Sequence, residues 1–135
     1  MIYISHRGNL YGPNPELENK PDQINKVLSM GYDVEVDVWK KNNLWYLGHD
    51  EPVYKIEEGF LLRRGVWCHA KTITTFESLI KIDAVSFWHQ EDDCTFTTNK
   101  YIWTYPGKEL TPSSICVMPE NTEQEIKNCA GVCTD

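Results

Sequence analysis

The sequence predicts an α/β fold: a reduced (β/α)8 TIM-barrel-like domain with several helices shortened or missing. Three observations predict it. The 135 residues carry eight short runs of strand character, and helical signals follow only some of them. All four histidines, His6, His49, His69 and His89, stand just past the C-terminal end of such a run. In a barrel of this kind those ends form the active face. The length fits one domain over residues 1–135. A typical barrel has about 250 residues, so a second reading stays open: a mixed α+β domain whose strands end on polar residues.

The elements follow in order. Ile2-Tyr3-Ile4-Ser5 reads as a strand ending in His6-Arg7-Gly8. Residues 9–21 hold Gly12, Pro13, Pro15 and Pro21 and read as a loop. Pro21 opens a helix whose apolar face is Ile24, Val27 and Leu28, up to Gly31. Asp33–Trp39 and Leu44–Gly48 are the next strands, the second ending on His49-Asp50. Residues 51–65 read as irregular or weakly helical. Gly65–Cys68 is a strand ending at His69, followed by a Thr-capped helix over Thr72–Lys81. Ala84–Trp88 ends at His89 and an acidic loop, Glu91-Asp92-Asp93. Tyr101–Tyr105 is stopped by Pro106-Gly107, and Ser114–Met118 by Pro119. A helix is expected over Glu123–Asn128, and Gly131–Thr134 is the last strand.

Composition narrows the function classes. With 41% hydrophobic residues the chain is globular. A net charge of −7 argues against nucleic acid as a bulk partner. Five cysteines without a CxxC pair read as free thiols in a reducing, cytoplasmic compartment, most of them buried. Met1–Ser5 enters structure directly, so no secretory signal is expected. No run approaches the roughly 18 apolar residues of a membrane span. The five tryptophans are read first as core and rim packing. Uncovered strand backs on so short a barrel predict a partner subunit, making a homo-oligomer.

The most demanding stretch is Asp33-Val34-Glu35-Val36-Asp37-Val38-Trp39. In a strand, side chains alternate, so Asp33, Glu35, Asp37 and Trp39 share one face and the three valines the other. Three carboxylates on one face repel one another. Either that face is open to water or a cation sits on it. With His49 delivered by the neighbouring strand, the set is raw material for metal-assisted acid/base chemistry.

His6-Arg7-Gly8, then Glu18-Asn19, then Glu35-x-Asp37, then His49-Asp50 resembles the ordered signature of the glycerophosphodiester phosphodiesterase family, which shares its architecture with spider-venom phospholipase D enzymes. The match is specific as an ordered set over residues 6–50 and thinner beyond. The Pro119–Thr122 stretch repeats a Glu-Asn pair at the wrong end of the chain. The resemblance implies a metal-dependent phosphodiester hydrolase with His6 and His49 catalytic, one as nucleophile or base and the other protonating the leaving alkoxide. It implies that Glu35 and Asp37 hold Mg2+ or Ca2+, that Arg7 and Lys71 contact phosphate, and that Glu18 orients Arg7 or shares in substrate binding. At the third metal position, where the family has a carboxylate, stands His69. Imidazole suits softer ions, so Mn2+ or Zn2+ enters as an alternative, and so does a degenerate site on a non-catalytic binding or scaffold domain. A sugar-phosphate polymer is the alternative substrate. His89 and Tyr105 are read first as an ordinary acidic loop and an ordinary turn.

Overall fold

A computed structural model describes all residues 1–135. Ten strands form one sheet: β1 Ile2–His6, β2 Asp33–Lys41, β3 Leu44–Leu47, β4 Tyr54–Ile56, β5 Val66–Ala70, β6 Ser86–Phe87, β7 Cys94–Phe96, β8 Ile102–Thr104, β9 Ser114–Val117 and β10 Gly131–Thr134. Three helices, α1 Pro21–Ser29, α2 Glu58–Leu61 and α3 Ile73–Lys81, accompany it, with a 3-10 turn at Pro119–Asn121. Neighbouring pairs β6-β5-β2-β1-β10-β9-β8 are parallel. Two antiparallel attachments, β2-β3-β4 and β7-β8, make the sheet mixed.

This corrects the (β/α)8 expectation. Strands hold 31% of the residues and helices 19%, and the sheet curls into a mixed half-barrel, not a helix-rich TIM barrel. The reason lies in the connections. A helical crossover needs about a dozen residues or more. Residues 105–113, between β8 and β9, are fewer and include Pro106, Gly107 and Pro112. The helix expected over 123–128 is absent: Glu123 and Asn128 adopt left-handed φ of 52° and 51°, which an α-helix excludes. Ile126, the one apolar side chain of that segment, is 45% exposed, so no packed face rewards a helix there. Residues 54–56 and 94–96, read as irregular or not assigned, are short strands of the two hairpins.

The two sequence-read helices form as their signals dictate. Pro21 sits in the first turn of α1, and Ile24 and Val27 are fully buried. Thr72 caps α3, its hydroxyl accepting from the Thr75 amide at 3.1 Å. Both pack on the outer face of the sheet with Val34, Val36 and Val38, all 0% exposed. The inner face of the curl holds a second core of Ile4, Trp67, Phe87, Trp103, Ile115, Val117 and Cys133. All five cysteines are free, and Cys68, Cys116 and Cys133 are buried. No helix is long and apolar enough to cross a membrane.

Candidate metal and phosphate site

The alternation of β2 decides where its acids go. With the valines committed to the outer core, Glu35 and Asp37 point into the curl, 2% and 0% exposed. The face is therefore not open to water. Asp33, one step earlier, does a structural job: its Oδ2 accepts from the Trp67 indole at 2.9 Å. The parallel register sets His69 of β5 beside Asp37. Its Nδ1 lies 3.3 Å from Asp37 Oδ1 and 3.6 Å from Glu35 Oε1. Glu35, Asp37 and His69 each offer one ligand atom, all within 4.8 Å of one another.

The loop after β1 builds the cationic side. Arg7 and Gly8 turn left-handed, with φ of 55° and 88°. A Cβ at Gly8 would sit 3.0 Å from Ile24 Cδ1, so the loop stays pressed on α1 only with glycine there. The turn puts the Arg7 amide 3.3 Å from Glu35 Oε2 and the Arg7 Nε 3.2 Å from Asp37 Oδ2. Glu18 Oε2 holds Arg7 Nη1 at 3.3 Å, so Glu18 orients Arg7. Lys71, just beyond β5, brings its Nζ to 3.5 Å from Asp37 Oδ1. Burial by itself raises the Asp37 carboxyl. The His69 hydrogen bond and the charges of Lys71, His69 and Arg7 outweigh it and hold the group well below the usual carboxylate range. Burial likewise pushes His69 down, but the facing Asp37 and Glu35 carboxylates win and raise it.

His6 is held by a residue to which no role was assigned from the sequence. Its Nδ1 lies 2.8 Å from Asp135 Oδ1, just past β10, and its Nε2 faces Glu35 Oε2 at 4.0 Å. Asn9 ties the assembly together, donating to Glu18 Oε1 at 3.0 Å and Asp135 Oδ1 at 2.9 Å. Asn19 clamps Asp37 twice: it donates to Oδ2 at 2.9 Å and accepts from the Asp37 amide at 2.9 Å. Asn19 was legible as part of the Glu18-Asn19 pair, and Asp135 as one of several polar strand ends. Nothing in the sequence signals Asn9.

Thus His6, Arg7, Glu18, Glu35, Asp37, His69 and Lys71 come together, and His49 stands apart. Its side chain is 42% exposed, and its one hydrogen-bond partner is Asp50, at 2.7 Å. It lines a cleft of about 440 Å³ with Arg7, Glu18 and Asn19, which connects it to the cationic side of the site. Gly48 fixes this loop: its amide donates to the Asp37 carbonyl, and any Cβ would overlap the Glu51 carbonyl oxygen.

His89 and Tyr105 also belong here. The His89 ring stacks on His69 with centroids 4.9 Å apart, and Tyr105 packs on His89 at 4.1 Å. Burial, reinforced by the charges of His69 and Lys71, lowers the His89 pKa to about 4. Burial and the Glu35 charge push the Tyr105 phenol up. Both groups are therefore neutral at pH 7. Four buried side-chain polar atoms make no hydrogen bond: Arg7 Nε and Asp37 Oδ1, which are ion-paired, and His89 Nδ1 and Tyr105 OH. Unsatisfied buried polar atoms are rare in folded proteins and costly. All four belong to this cluster and its aromatic wall. No family model, curated protein or solved structure matches the chain.

Proposed function

We propose that this protein is a metal-dependent phosphodiester hydrolase in which Glu35, Asp37 and His69 hold a divalent cation beside a phosphate bound by Arg7 and Lys71. The observation that carries the reading is the buried pair of carboxylates, Glu35 and Asp37, faced by His69 and flanked by Arg7 and Lys71. The donors fit such an ion: one atom from each of three strand-borne side chains, all within 4.8 Å of one another. A cation bound there supplies charge to a phosphate oxygen and lowers the barrier electrostatically.

The chain's own groups do the rest. Arg7, steadied by Glu18, offers a forked contact to phosphate, and Lys71 a point charge. Asp135 holds a proton on His6 Nδ1, leaving Nε2 free to accept one from an attacking water as a P–O bond forms. His49 gives a proton to the departing alkoxide as the other P–O bond breaks. Free thiols support a reducing, cytoplasmic setting. The motif resemblance over residues 6–50 supports a glycerophosphodiester-type small molecule as substrate.

A chromogenic phosphodiester assayed with a panel of divalent cations tests the reading. Turnover should require a cation, vanish on chelation and return on re-addition. A chain that hydrolyses no diester with any cation, yet binds the diester at this cleft, is the scaffold alternative.

A further inference from the structure

We propose that His69 makes this site select a borderline first-row dication of the Zn2+ or Fe2+ kind over Mg2+ or Ca2+. The inference rests on the reading of Glu35, Asp37 and His69 as a cation site, and not on the reaction. Each residue presents one donor to a common point. Asp37 Oδ2 is taken by Asn19 at 2.9 Å and Arg7 at 3.2 Å. Its Oδ1, in a side chain that is fully buried, meets His69 Nδ1 at 3.3 Å and Lys71 Nζ at 3.5 Å. Glu35 Oε2 is engaged by the Arg7 amide, which leaves Oε1 facing His69.

The imidazole is packed against two rings. Phe87 and His89 both stack on it, each with its centroid 4.9 Å away and with interplanar angles of 10° and 12°, and they lie 6.4 Å from each other. Phe87 is itself fully buried and stacked on Trp103 at 4.4 Å. Nδ1 lies 3.3 and 3.6 Å from the two carboxylates, so an ion that enters displaces its proton and meets a nitrogen.

That donor set suits some ions and not others. Mg2+ demands near-ideal octahedral oxygen ligation, and Ca2+ takes six to eight oxygens. Imidazole beside carboxylate suits Zn2+ and Fe2+. Charge does not discriminate. Arg7 at 3.2 Å and Lys71 at 3.5 Å offset the carboxylates for every dication alike. The choice among ions of equal charge therefore falls to the nitrogen donor.

The test uses the full chain, stripped of metal, without substrate. Zn2+ and Mg2+ affinities are measured by calorimetry for wild type, His69→Glu and His69→Gln, with folding of each checked by thermal melting. Thiols such as exposed Cys94 bind Zn2+ in all three forms alike, so the difference between forms isolates His69. The Zn2+-to-Mg2+ preference should fall by at least about tenfold in both variants, scaled on the loss typical of groups that support a metal. His69→Glu should also gain Mg2+ affinity, and His69→Gln should not. A ratio unchanged in the variants, or wild-type Mg2+ binding as tight as Zn2+ binding, overturns the inference. Selective Zn2+ binding by a chain that hydrolyses no diester would leave it standing and remove the proposed activity.

Discussion

Asp37→Asn is expected to destabilise the metal-free protein by about 3–5 kcal/mol and to abolish turnover. Asp37 is the single counter-charge that Arg7, Lys71 and His69 all approach, at 3.2, 3.5 and 3.3 Å. It is fully buried, so solvent does not screen the loss. An amide of the same shape removes the charge and turns one acceptor into a donor facing donors. Arg7, Lys71 and His69, which are 21%, 16% and 19% exposed, then stand together with only Glu35 and Glu18 to offset them. Urea unfolding of the chelator-treated protein near pH 7 measures the effect. Stability within about 1 kcal/mol of wild type would show that the three cations do not depend on this carboxylate.

The second large effect is a split between the two histidines. His6→Ala should lower kcat by about 10²–10⁴ on any phosphodiester, because attack by water then lacks a base. His49→Ala should cost a similar factor only where the leaving group is a poor one. An alkyl ester needs its alkoxide protonated, whereas a nitrophenolate leaves without help. The double comparison, two variants on an activated and an alkyl diester, separates base from acid. His49 is exposed and bonded to Asp50 alone, so its removal should leave the fold intact. Wild-type rates for His6→Ala on either ester, or for His49→Ala on the alkyl ester, would contradict the roles assigned.

Much of the site was legible because strand alternation is strict. Once Val34, Val36 and Val38 are assigned to a core, Glu35 and Asp37 must face the other way, and the structure buries both. Ordered motifs delivered His6, Arg7, Glu18 and His69 to the same place for the same reason: each stands at or just past a strand end or in the loop it opens. The overall architecture was less legible. Polar strand ends are common to every sheet whose parallel strands deliver a site, so they do not distinguish a helix-wrapped barrel from a curled mixed sheet. The connections decide: 105–113 lacks the length for a helix, and 118–130 lacks the apolar periodicity. Long-range partners were least legible. Asp135 meets His6 across almost the whole chain, and His89 reaches His69 by ring stacking between β6 and β5. No local pattern encodes such contacts. The bond between Asp33 and Trp67 is of the same kind, since the two stand on different strands.

The central claim is that Glu35, Asp37 and His69 together hold a cation. Its most direct test is a crystal of the protein soaked with Zn2+ and recorded at the zinc absorption edge. The account predicts one anomalous peak about 2.0–2.2 Å from Asp37 Oδ1, Glu35 Oε1 and His69 Nδ1, with Lys71 displaced from Oδ1. Full-occupancy zinc on surface thiols with no peak between these three residues, and with Lys71 and His69 still paired to Asp37, would contradict it.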